Sequence, residues 1–175
     1  MRYPNLCVVD TNVAKTANLA MQPDSESDVP DECVLVCIEA IEHVIKKKGL
    51  VIDAGDDIFD EYRQQLSMSG QPGIGDSFMK WVHDNRWSLP DSQRVTITRN
   101  GESYDEFPEH DDLANFDNSD QKFVAASNAH PNKPDILQAT DSKWWGWKDA
   151  LSQCGITVQF LCEDYIKTKY REKME

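Results

Sequence analysis

The sequence predicts an α/β fold with a mainly parallel central sheet. Three observations predict it: short apolar runs spaced along the chain, helical patterns between them, and carboxylates just where two of those runs end. A chain of 175 residues fits a single domain over 1–175 with a sizeable core.

The elements follow in order. Leu6 to Val9 is a short apolar run of the kind that forms a buried strand. Asn12 to Met21 reads as a short helix, and the polar segment MQPDSESDVPDE as a loop. Val34, Cys37, Ile38, Ile41, Val44 and Ile45 then recur at helical spacing. Asp31 and Glu32 stand at the start of that helix and Lys46 to Lys48 at its end, as the helix dipole favours; Gly49 stops it. Leu50 to Asp53 is a second apolar run. Asp56 to Leu66 and Asp76 to Trp87 are helices on either side of the loop SGQPGIG. Arg94 to Thr98 alternates polar and β-branched residues and reads as an exposed strand. Gly101 to Asp120 carries eight acids and no Lys or Arg, the composition of an acidic loop. A helix opens at Asp120, a strand covers Asp135 to Ala139, Lys143 to Cys154 is helical, and Ile156 to Leu161 is the last apolar strand. The charged stretch from about 163 to 175 reads as a solvated tail.

Composition restricts function. The formal net charge is −13, from 31 acids against 18 Lys and Arg. Proteins that hold nucleic acid by many phosphate contacts carry a basic stripe, so this balance favours a basic partner or divalent cations. The five Cys, at 7, 33, 37, 154 and 162, have irregular spacing and no CxxC pair. They read as buried reduced thiols rather than a disulfide framework, which predicts a cytoplasmic setting. No run of about 18 apolar residues exists to cross a membrane. Trp144, Trp145 and Trp147 lie within four residues and cannot all face one way on a helix; packing is expected for at least one, stacking or partner contact for another. GQPGIG lacks a preceding strand and a following Lys-Ser or Lys-Thr, so it does not make a phosphate cradle.

Ligands of open α/β sheets bind at the carboxyl ends of the strands. Asp10 ends the first strand, and Asp141 lies just past the strand DILQA. Clustered carboxylates repel one another unless a divalent cation neutralises them. Magnesium and manganese take such oxygen ligands and support water activation at phosphate esters. Each acid also has a purely structural alternative. Asp10 and Asp120 are suitable helix caps, and Asp117 competes with Asp120. Glu61 has acidic neighbours on what would be a solvated face, and Asp141 suits a turn.

VVDTNV resembles the opening motif of PIN domains, a family of metal-dependent nucleases. FDEYRQQL, with Glu61, DNSDQKFVAAS, with Asp120, and ILQATDSKWW, with Asp141, resemble the segments carrying that family's other acids, in the same order. ITVQFLCEDY resembles its last strand. The stretch around 67–116 has no counterpart and reads as an insertion. The resemblance implies a Rossmann-like three-layer α/β/α sandwich with about five strands. It implies hydrolysis of RNA phosphodiesters by Mg2+ or Mn2+ held by Asp10, Glu61, Asp120 and Asp141, with Thr11 and Asn12 supporting Asp10. It further implies a toxin or defence effector with a protein partner such as an antitoxin, or a homo-oligomer. The alternative is a PIN-like binding module with little nuclease activity, consistent with the acidic surface. DNA cleavage of the flap-nuclease kind shares the carboxylate logic but needs more acids and a larger chain.

Overall fold

The computed structural model describes residues 2–174. Its strands are β1 (Cys7–Val9), β2 (Ile52–Asp53), β3 (Arg94–Val95), β4 (Arg99–Asn100), β5 (Ser103–Tyr104), β6 (Asp135–Gln138) and β7 (Val158–Phe160). Its helices are α1 (Thr11–Asn18), α2 (Asp31–Lys47), α3 (Asp57–Gln65), α4 (Ile74–Asn85), α5 (Gln121–Ala129), α6 (Lys143–Gln153) and α7 (Glu163–Met174).

The fold is mixed α/β. A parallel sheet has the order β1-β6-β7, with Val8 opposite Ile136 and Leu137 opposite Gln159. β2 and β3 form a separate parallel pair. One parallel bridge, Cys7 to Leu50, links the two ladders, with Cys7 N–H donating to Gly49 O and Val51 N–H to Cys7 O. The expected sheet of about five strands is therefore interrupted. β2 is itself short and runs straight into α3, where the Asp53 carboxylate accepts from Asp57 N at 2.8 Å and Ile58 N at 2.9 Å.

Apolar burial explains the arrangement of helices. α1, α2 and α4 pack on one another, while α5 lies against β1, β2 and β6 and is buried on nearly every side. Gly75 lets α4 approach α1 closely, since a Cβ there would sit 2.0 Å from Ala14 O. Gly75→Ala is expected to lower stability by about 1–3 kcal/mol through overpacking, read as a fall in the urea midpoint at unchanged m value.

Several expectations change. Arg94–Thr98 is not an exposed strand: only Arg94–Val95 pairs, and Val95 is buried against the core. The acidic segment 101–120 is not a plain loop. It contains β5, which pairs antiparallel with β4, and it sends Leu113 and Phe116 into the core. The C-terminal stretch is a helix, α7, rather than a solvated tail. Ile166 is fully buried, and the Tyr170 ring lies against Gly146. Such anchoring by one or two side chains leaves little periodic signal in a charged run. The cysteines differ as well. Cys33, in the first turn of α2, is joined by a disulfide to Cys162, just before α7. Partners 129 residues apart in sequence have no spacing rule to reveal them. Cys7 and Cys37 remain free and buried, and burial pushes both thiols up to about 12. No described helix is long and apolar enough to cross a membrane.

Candidate carboxylate site

The site is assembled at the carboxyl ends of β1 and β6. The β1 strand delivers Asp10 into a buried position, 5% exposed. Asp10 is also the α1 N-cap: its Oδ1 accepts from Asn12 N at 2.9 Å. Its Oδ2 accepts from Gln138 Nε2 at 3.0 Å. Capping thus occupies one oxygen of Asp10 and Gln138 the other.

Gln138 ends β6 and organises the rest. Its Oε1 accepts from Asn12 Nδ2, from Ala139 N at 3.1 Å and from Asp141 N at 3.3 Å. Asn12 Oδ1 in turn accepts from Ala139 N at 3.0 Å. Asn12 therefore ties the start of α1 to the turn that carries Asp141. Thr11 donates its hydroxyl to Glu61 Oε2 on α3. Both residues expected to support Asp10 hold a neighbouring acid or its turn in place, and Asn12 reaches Asp10 through its backbone.

Asp10, Glu61, Asp120 and Asp141 line one open depression of about 560 Å³. At its edge Asp117, Asp120 and Asp141 each bring one carboxylate oxygen within 4.8 Å of the others, a close group that includes neither Asp10 nor Glu61. Asp117 and Asp120, weighed as competitors from the sequence, are both present. Asp117 also accepts from Lys143 Nζ at 2.9 Å. Asp120 Oδ2 accepts from the indole N–H of fully buried Trp144 at 3.3 Å. Trp147 packs on Phe116 with ring centroids 4.3 Å apart, and Trp145 lies edge-on to Phe160 at 5.1 Å. All three tryptophans are thus engaged in packing.

The charges are strained by proximity. Burial, then the Asp120 charge, holds the Asp10 carboxyl well above the usual carboxylate range. Burial, then Asp141 and Glu61, raises Asp120 to about 6. The folded chain therefore binds these protons more tightly than the unfolded chain. Stability from them is fully present below about pH 4 and is lost as pH rises, through about 6 for Asp120 and through the raised range of Asp10. A bound cation needs both groups ionised, which reverses the trend. If manganese binds these acids, the rise it causes in melting temperature is expected to grow as pH passes through about 6, read by a fluorescence melt at fixed manganese.

Three contributors escaped the sequence reading. Gln138 had a signal, a polar residue inside an apolar strand. Lys122 donates to Glu61 Oε1 at 2.7 Å and to Ser119 O at 2.7 Å, so a cation already faces the acids. It lies two residues beyond Asp120, but only the meeting of α3 with α5 gives it Glu61. Arg99 comes from the 67–116 stretch, where no motif pointed to it, and lines the same depression.

The donor set is all oxygen and anionic, which fits hard divalent cations such as Mg2+ and Mn2+ and not soft ones. Comparison of the chain with models of protein families, with curated proteins and with solved structures finds no match in any of the three.

Proposed function

We propose that this protein is a metal-dependent ribonuclease of PIN-like type. One observation carries the reading: acids from β1, α3, the start of α5 and the turn after β6 converge on one depression at the strands' carboxyl ends. Gathering carboxylates in a partly buried place is costly without a cation. The depression is lined by six carboxylates and three cations (Lys15, Arg99 and Lys122), a formal −3 that two divalent ions would turn to +1. Such local reversal answers the conflict between a −13 chain and a polyanionic substrate.

Asp117, Asp120 and Asp141 bring carboxylate oxygens within reach of a single ion, and Asp10 and Glu61, which line the depression with Asp120 and Asp141, would complete the metal's surroundings. When bound, Mg2+ or Mn2+ supplies Lewis acidity toward a phosphate and a more acidic water. The chain fixes the geometry. Gln138 and Asn12 lock Asp10 against the Asp141 turn, and Thr11 orients Glu61. The Rossmann-like five-strand sandwich belongs to the same proposal, with the Cys7–Leu50 bridge as the join between its halves. A toxin or defence role with an antitoxin-like partner, or as a homo-oligomer, extends that reading. The cytoplasmic setting does too, and there the Cys33–Cys162 bridge would be reduced.

A second reading has its own support. Lys122 already neutralises Glu61, so the site is partly compensated by the chain itself. A PIN-like binding module with little activity would use that. The deciding experiment is manganese titration by calorimetry beside manganese-dependent cleavage of mixed single-stranded and structured RNA. Saturable manganese binding with cleavage supports the nuclease. A folded, monodisperse chain that neither binds manganese nor cleaves overturns it in favour of the binding module.

A further inference from the structure

We infer that Arg99 and Lys122 form a phosphate-binding subsite beside the carboxylates, which holds the RNA phosphodiester adjacent to the one being cleaved. This rests on the ribonuclease reading and gives the 67–116 stretch a role. A second recess of about 230 Å³ adjoins the carboxylate depression. Arg99, Ser119 and Lys122 line both, so the two form a continuous track with these cations at the junction.

The hairpin β4–β5 puts Arg99 there. Its strands are joined by Gly101 and Glu102, with Gly101 at φ 65°, where glycine is favoured. Ser103 Oγ donates to Gln121 Oε1 on α5 at 2.7 Å, and Tyr104 Oη donates to Asp57 Oδ2 on α3 at 2.7 Å. The hairpin is thereby tied to the two helices that carry Glu61 and Lys122. Arg99 Nε donates to the same Asp57 oxygen at 3.1 Å. Burial pushes the Asp57 carboxyl up, but the hydrogen bonds from Arg99 and Tyr104 outweigh it and leave Asp57 below the usual range. Asp57 stays ionised and aims the guanidinium.

What remains of Arg99 is suited to a phosphate. Among the described residues, neither of its terminal nitrogens has a hydrogen-bond partner in the chain, and its side chain is 69% exposed. A guanidinium fixed through Nε and open at both ends offers the paired donors that phosphate oxygens accept. Lys122 uses two of its three protons on Glu61 and Ser119 and keeps one. Arg99 is not needed to hold the hairpin, because Ser103 and Tyr104 do so and exposed ion pairs add little.

The test is binding of a single-stranded RNA oligomer in calcium across a salt series, with cleavage kinetics in manganese. Wild type, Arg99→Ala, Arg99→Lys and a remote control, Lys167→Ala, are compared after their melting temperatures are shown to agree. Arg99→Ala is expected to raise KM about 10-fold at nearly unchanged kcat. It should also flatten the slope of log affinity against log salt by about 0.7, the loss of one phosphate contact on a single strand. Arg99→Lys should keep the slope, and Lys167→Ala should match wild type. Wild-type binding with an unaltered slope and KM in Arg99→Ala overturns the subsite and leaves the nuclease standing. No binding and no cleavage by wild type overturns both.

Discussion

Asp10→Asn is expected to abolish manganese-dependent RNA cleavage, by more than about 100-fold, while the chain still folds. The Asn oxygen can replace Oδ1 as acceptor for Asn12 N and so keep the α1 cap. The Asn amide would instead face Gln138 Nε2, donor against donor, where Asp10 Oδ2 now accepts. Gln138 cannot turn over freely, because its oxygen already serves Asn12, Ala139 and Asp141. The change therefore costs about 1–3 kcal/mol of hydrogen bonding, offset by removing a carboxylate that burial disfavours. A small change in melting temperature, lost manganese binding and lost cleavage is the expected set. Cleavage at the wild-type rate by Asp10→Asn would falsify the metal-ligand role of Asp10.

Breaking the Cys33–Cys162 bridge carries the largest expected effect on stability. The bridge closes a loop of 129 residues and fastens α7 to the start of α2. Constraining the unfolded chain over that length is worth about 2–5 kcal/mol. For a chain of this size the melting temperature should fall by about 5–15 °C. The double variant Cys33→Ala/Cys162→Ala is the appropriate one. A single change would leave a free sulfur close to Cys37, whose Sγ lies within 4.8 Å of both bridged sulfurs, and exchange could form a new pair. Scanning calorimetry with and without a phosphine reductant reads the effect. Equal melting temperatures in the wild type under both conditions would show that the bridge adds nothing.

The sequence by itself determined the local pieces. β1, β6, β7 and the helices α2, α5 and α6 were legible because burial imposes periodic apolar patterns that need no knowledge of neighbours. The placement of Asp10 and Asp141 at the carboxyl ends of β1 and β6 was legible for a related reason: each follows closely on an apolar run of strand length. The tertiary structure alone decided what depends on contacts between distant segments. It paired Cys33 with Cys162, packed α7 through Ile166, and divided the sheet into two ladders joined by the Cys7–Leu50 bridge. It also brought Lys122 to Glu61 and Arg99 to the rim of the acids, across 61 and 42 residues of sequence in the bonds that hold them. A lone cation on a helix or hairpin surface has no apolar periodicity and no motif. Its role follows from which charges the fold sets beside it, and Coulomb interaction depends on distance in space, not along the chain.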